Sequence, residues 1–311
     1  MLSRVADTIY WLARYMERTQ AMLQTIRIQY IASQDEPYYW GWQPLLYTYG
    51  DLSEEEVAQR AQHTTQVLHH LLFDRENGAS VYHNIVRARE NARAVQDHIT
   101  KEVWQCLNDY YHLVRQDSVA HQTLGEDPVS GLDQLTQQGV VYLGMVQNTM
   151  TRDDGYNFLK LGKYLERALQ ITDMLRMKEH LFVGEEEGAS SSAELRYLLY
   201  SLLGYEVYIK TYQGHLEARS VLELMLYHAD FPHSLLYSLS QVVHYTERLK
   251  DKSRPESYEK LRFLAGKART TVAYSTLGVQ KGDALDKFLE QVRNEVLDIT
   301  ATLSSSYFGN G

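Results

Sequence analysis

A glutamate followed by an arginine recurs on two segments of matching pattern, at Glu17-Arg18 and Glu166-Arg167. Carboxylate and guanidinium make strong, planar, charge-assisted hydrogen bonds, so such pairs either lock helices together or line a polar pocket for a charged ligand or metal. Aligned without gaps at an offset of 149, WLARYMERTQAMLQTIR lies over KLGKYLERALQITDMLR. Leu12, Tyr15, Glu17, Arg18 and Arg27 then coincide with Leu161, Tyr164, Glu166, Arg167 and Arg176, and Arg14 with Lys163. The echo is local, and supports two equivalent helices rather than a demonstrated duplication.

Helical spacing says where the glutamates point. Glu17 shares a face with Ala13 and Tyr10, and Glu166 with Gly162 and Leu159, so each carboxylate sits beside a small residue that lets another helix approach. A carboxylate so placed is expected to be buried and to need a cation or several donors. The adjacent arginine projects about 100° round the helix. Crossed pairing is therefore the expected geometry, Glu17 with Arg167 and Glu166 with Arg18. Salt bridges that set register, a ligand pocket and plain exposed charge all remain open readings.

A second polar set lies in RARENARAVQDHITKEVWQCLN, where Glu90, Arg93, Asp97, Trp104 and Asn108 fall near one stripe of an expected long helix. It reads equally as a solvated surface or as a partly buried polar seam. His69 and His70 are adjacent, point in different directions and suit packing better than metal binding. Cys106 lies in an apolar stripe with no neighbouring base, which suits a buried small hydrophobe rather than a nucleophile. Neither GxGxxG nor GxxxxGK[ST] is present, and His-Glu-x-x-His is absent, so no phosphate loop, metal or cofactor is expected. Tyr38, Tyr39, Trp40 and Trp42 form an aromatic loop suited to a partner or to covering a pocket.

The elements that must position these residues read as helices throughout. Apolar residues recur at three- and four-residue spacing from 3 to about 32, and Ser53 with Glu56 opens a helix by a capping-box pattern that runs to about 73. A single long helix is expected over 80–115, then helices over 132–150 and 153–180. Beyond VGEEEGASSS, residues 183–192 and the best linker candidate, helices are expected over 194–215, 217–228, 233–250, 256–275 and 283–304. The stretch 35–50 reads as loop. The fold expected is all-α, a large multi-helix bundle, either one domain over 1–311 or two pseudo-equivalent halves divided near 183–192.

Composition agrees. The 311 residues are 44% hydrophobic and 23% charged, the profile of a folded globular chain, and the five prolines leave long uninterrupted stretches. A net charge of -9 argues against nucleic acid as a partner. One cysteine cannot form an intramolecular disulfide, and no run of about 18 apolar residues exists, so a cytoplasmic protein without a membrane span is expected.

MLSRVADTIYWLARYMERTQ, the run from Arg87 to Asn108, YNFLKLGKYLERALQITDML and ADFPHSL, taken together and in this order, resemble the bacterial Alpha-E family. The resemblance covers essentially the whole chain. It implies a helical domain, of unknown function and named for its Glu-Arg motif, that accompanies an ATP-grasp ligase and a transglutaminase-like protein. The implied role is accessory, in peptide synthesis or modification with a peptide or aminoacyl substrate. The alternatives are an enzyme handling an activated acyl or aminoacyl group, or a scaffold. The family segment Phe-Pro-Arg-Ser reads Phe-Pro-His-Ser here, with His233 in the third place.

Overall fold

The computed structural model describes residues 3–35, 41–182, 189–250, 255–275 and 283–309; among them every regular element is helical. The chain divides into two compact units, Trp11–Thr151 and a second made of Met1–Tyr10 with Arg152–Gly311. The expected linker at 183–192 falls within the second unit, and its residues 183–188 lie outside the described residues, as do Tyr38, Tyr39 and Trp40 of the aromatic loop.

The first unit holds α1 (Ser3–Asp35) from Trp11 onward, α2 (Gln43–Tyr49), α3 (Glu54–Arg60), α4 (Thr64–Leu72), α5 (Val81–Ala94), α6 (Lys101–Val114), α7 (Asp117–His121) and α8 (Pro128–Thr149). Helix α5 packs on α6, and α6 on α8. Helix α1 completes a four-helix bundle through the Arg27 Nε–Asp133 Oδ1 contact of 2.5 Å to α8 and the Asn84 Nδ2–Met22 Sδ contact of 3.5 Å to α5. Leu23, Ile26, Ile85, Ala88, Leu107 and Leu135 are buried inside it. Each buried leucine or isoleucine contributes roughly 1.5–3 kcal/mol over an exposed one.

The second unit holds α9 (Asp154–Met177), α10 (Ala189–Ser201), α11 (Tyr205–Tyr212), α12 (Ala218–Tyr227), α13 (Leu235–Arg248), α14 (Pro255–Ala273) and α15 (Asp283–Leu303). Helix α9 packs on α13 and α15, α13 on α14, and α14 on α15, which closes a four-helix ring. Tyr10, near the start of α1, belongs to this unit and packs at a tilt against Phe308, with ring centroids 5.3 Å apart.

The two bundles repeat one plan, with α1, α4, α5, α6 and α8 matched by α9, α12, α13, α14 and α15. Arg27 bridges to Asp133 with Nε–Oδ1 and NH2–Oδ2 distances of 2.5 and 3.4 Å; its counterpart Arg176 bridges to Asp286 with 2.6 and 3.4 Å. Ser80 caps α5 by accepting from the His83 amide at 3.2 Å and donating to the Asp74 carbonyl at 2.8 Å. Ser234 caps α13 in the same way, with 3.0 Å from the Tyr237 amide and 2.6 Å to the His228 carbonyl. The local echo of the Glu-Arg segments thus extends to whole bundles.

Four expected boundaries are corrected. The helix expected over 80–115 is a hairpin: α5 ends at Ala94, a 3-10 turn spans Gln96–His98, and Ile99 is extended before α6. Thr100 makes the break, since its hydroxyl accepts the Val103 amide at 3.3 Å and meets the Thr149 hydroxyl at 2.7 Å, while Val95 and Ile99 bury the bend. The helix over 53–73 keeps its Ser53-Glu56 capping box but divides into α3 and α4. That over 194–215 divides into α10 and α11 at Leu203, whose φ is +56°, and Gly204, where a Cβ would press on Phe231, Met225 and Leu199. Finally, α2 forms where a loop was expected, started by Pro44 and held by buried Trp42, Leu45 and Leu46.

Candidate functional site

The first Glu-Arg pair belongs to the part of α1 in the first bundle. Glu17 is 6% exposed, buried as the spacing predicts; Arg14 is 5% exposed, and Arg18 is half-buried. The Arg14 guanidinium lies 4.7 Å from the Trp11 ring centroid, a cation-π contact. One turn on, Gln20 presses against Gly139 of α8, where any Cβ would collide with its amide. Three residues further along α8 stands Tyr142, 1% exposed. Burial pushes its phenol far above the usual range, Cys106 adds to this, and the charge of Glu17 contributes a smaller push.

The second pair lies on α9, which is buried on nearly every face. Glu166 is 3% and Arg167 7% exposed. Gln170 Nε2 donates to Glu166 Oε1 at 3.4 Å, and Arg167 donates from NH1 to the Pro232 carbonyl at 3.0 Å. The fold therefore brings two separate sequence motifs together, Glu-Arg at 166–167 and Phe-Pro-His-Ser at 231–234. Phe231 is buried and Ser234 caps α13, and the turn between them presents its Pro232 carbonyl as the acceptor. Crossed pairing of Glu17 with Arg167 and of Glu166 with Arg18 stays an expectation from the sequence.

The second polar set proves to be a seam across the α5-α6 hairpin. Arg89 is its hub: Nε donates to Asn108 Oδ1 at 3.0 Å and NH1 to Glu90 Oε1 at 2.7 Å, and the guanidinium lies 5.5 Å from the Trp104 ring and 4.5 Å from Tyr111. Glu90 also meets Arg93 at 2.7 Å. Asp97 falls in the turn and is exposed, so it leaves the set. The correction follows from the break at Thr100: a hairpin turns residues spaced along one helix into residues facing each other across two.

Sequence reasoning missed a cluster in the second bundle. Tyr164 stacks on Tyr245 at 6.0 Å and meets Tyr237 edge-on at 6.1 Å, while Tyr156 meets Tyr245 at 6.2 Å. Cations border it: Arg152 and Lys160 lie 4.1 and 5.0 Å from the Tyr156 ring, and Arg167 lies 5.7 Å from Tyr164. Burial raises the Tyr164 phenol, with Tyr237 adding to the effect, and pushes Tyr245 up to about 12. The signal was a tyrosine at i and i+8 on both helices, 156 and 164, 237 and 245. A third Glu-Arg dipeptide, Glu247-Arg248, ends α13; its arginine donates to Asn157 Oδ1 at 3.1 Å.

Cys106 is buried, and burial, with Asp109 adding, pushes its thiol up to about 11, which makes it a poor nucleophile. His69 is exposed and His70 buried, on different sides of α4 as expected. Among the described residues no group of three or more His, Cys, Asp or Glu side chains is arranged to hold a metal ion. None of their helices is long and apolar enough to cross a membrane.

The Alpha-E family model, described as a predicted alpha-helical domain with a conserved ER motif, matches residues 1–308. An uncharacterized protein of Mycobacterium bovis is 25% identical over 258 residues, which cover 77% of this chain and 29% of its own length. An uncharacterized protein of Mycobacterium tuberculosis matches with the same identity and the same coverage. The chain thus spans less than a third of the length of these relatives. No solved structure matches it.

Proposed function

The chain belongs to the Alpha-E family, and on that premise we propose that it is an accessory helical protein of a bacterial peptide-synthesis or peptide-modification system in the cytoplasm. It acts beside an ATP-grasp ligase, with a transglutaminase-like protein as a further partner, and each of its Glu-Arg motifs lines a polar site for a peptide or aminoacyl substrate. The observation that carries this reading is the burial of both motif carboxylates, Glu17 at 6% and Glu166 at 3% exposure, at matched positions of two bundles. Ionised groups held out of water are costly to keep unless they are paired or used. Relatives in which the matched segment makes up 29% of a longer chain agree with a domain that works alongside other parts.

The test is co-expression with the ATP-grasp protein of the same genome, followed by co-purification and mass analysis of any peptide product. The variants Glu17→Gln and Glu166→Gln are then compared. The reading expects association, and folded variants that lose product or partner. Variants that unfold assign the pairs to register instead. A product formed by this chain without the ligase makes it the enzyme. If the two proteins neither associate nor depend on each other, the accessory reading fails.

A further inference from the structure

Trp104, Asn108 and Tyr111 fall on one stripe of α6, at i, i+4 and i+7, and Arg89 of α5 reaches all three. Its Nε donates to Asn108 Oδ1 at 3.0 Å and its NH1 to Glu90 Oε1 at 2.7 Å, while the guanidinium lies against both rings. Among the described residues nothing accepts from its NH2. The group is thus fixed by two bonds and two rings, yet the side chain is 20% exposed, so donors remain in reach of solvent. Arg115, one turn beyond Tyr111, lies 5.0 Å from the same ring and donates from NH1 to its hydroxyl at 2.5 Å. Arg93, one turn beyond Arg89, is exposed and meets the other oxygen of Glu90 at 2.7 Å. Three guanidinium groups therefore line the outer groove of the hairpin, two beside one ring and two on one carboxylate.

Packing of the two helices does not require this ladder. The second bundle makes the same contact between α13 and α14, where buried Leu261, Ala265 and Ala268 match Val103, Leu107 and Tyr110. There Val243 stands at the place of Arg89 and Ala273 at that of Arg115. Gly266 takes the place of Asn108, with open space where a Cβ would be, and Arg262 and Arg269 replace the two rings. A set of cations and rings that one bundle does without is free to serve a ligand in the other. Three guanidinium charges against a single carboxylate also repel one another, and a further anion relieves that repulsion.

We infer that the groove between α5 and α6 docks an acidic peptide segment of a partner protein. Its carboxylates pair with Arg89, Arg93 and Arg115, and its backbone and side-chain stems lie on the half-buried rings of Trp104 and Tyr111. Charge complementarity names the occupant, since the planar guanidinium fork matches a carboxylate. Arg89 is already held in place, so little side-chain freedom is lost on binding. The bridge of Arg93 to Glu90 is exposed and weak, and yields to a better-placed carboxylate. Asp97, Glu102 and Asp109, exposed on the same two helices and their turn, repel the unbroken charge of a nucleic-acid backbone, as does the net charge of -9, whereas separate carboxylates fit between them. The inference uses neither Glu-Arg pair, and stands or falls independently of the substrate read for them.

Calorimetric titration of the full chain with N-acetylated, C-amidated hexaglutamate at low salt tests this. Binding is expected and should weaken as salt rises, and capped hexaglutamine should not bind. Arg89→Val, which installs the residue of the matched position, should lower affinity at least about tenfold while the thermal unfolding transition is kept. Arg89→Lys should lower it nearly as far, because it keeps the charge and loses the fork. Should neither Arg89 variant fold, the exposed Arg115→Gln decides in their place, with an expected loss of about threefold. Arg269→Gln, in the second bundle, should bind as the unmodified chain does. No binding of hexaglutamate, equal binding of hexaglutamine, or full affinity in the folded variants would overturn the docking site. Tighter, Arg89-dependent binding of pyrophosphate or of a single-stranded oligonucleotide would overturn the acidic peptide as its occupant.

Discussion

The turns that enter α5 and α13, residues 74–80 and 228–234, have the same length, the same serine cap and the same bond from the serine amide to the carbonyl three residues back, yet they are held by opposite means. In the first bundle Asn77 and His70 tie the turn with hydrogen bonds to the Tyr49 and Gly50 carbonyls. In the second, Phe231 and Leu224 fill the matched positions with buried apolar volume. The difference teaches that the plan of each bundle rests on a few shared caps and helix-to-helix ion pairs, and that what fills the space between them is free to change. It differs beside the second Glu-Arg motif, since Phe231 precedes the Pro232 carbonyl that receives Arg167.

The comparison breaks first at the apolar turn. Phe231→Ala should lower stability by about 3–5 kcal/mol, because it leaves a cavity that a capped, proline-bearing turn cannot close, measured by denaturant unfolding. Asn77→Ala, the matched polar change, should cost about 2 kcal/mol by removing the amide that donates to the Tyr49 and His70 carbonyls. If the two costs come out equal, the claim of opposite means fails. The tyrosine cluster of the second bundle adds a difference confined to alkaline solution. With Tyr245 pushed up to about 12, the protonated phenol is favoured in the fold. Its contribution is complete below the ordinary tyrosine value of about 10 and is lost as pH climbs from there towards 12, on the order of 1 kcal/mol after solvent screening.

Where the bundles agree, the effects should agree. Ser80→Ala and Ser234→Ala should each cost about 1 kcal/mol, and a large inequality in thermal unfolding would show that the two caps are alike only in geometry. Smallest are Arg27→Ala and Arg176→Ala, whose half-exposed bridges to Asp133 and Asp286 should each contribute less than about 1 kcal/mol and fade in high salt. These bridges set which helix faces which more than they stabilise the fold.

How much was legible follows the range of each interaction. Helix content, the cap at Ser53 and the burial of Glu17 and Glu166 depend on neighbours within a turn or two, and the spacing carried them. Arg27 matching Arg176 was visible, but its aspartate partners were not, because Asp133 and Asp286 lie more than a hundred residues away and become recognisable only once the helices pack. The break at Thr100 contains neither proline nor glycine, so the periodicity of a long helix continued through it unmarked. Arg89, the hub of the seam, was passed over because a single-helix projection placed it off the stripe that a hairpin then folded onto it.

The sequence by itself therefore determined the class of the fold, the family and the identity of the motif, since period, composition and the order of short motifs are properties of the chain. Tertiary structure decided which groups meet: Arg167 with the Pro232 carbonyl, His70 with Gly50, and Tyr164 with Tyr245. Such contacts turn on distances of about an ångström between elements remote in the chain, and only the packed helices set those distances.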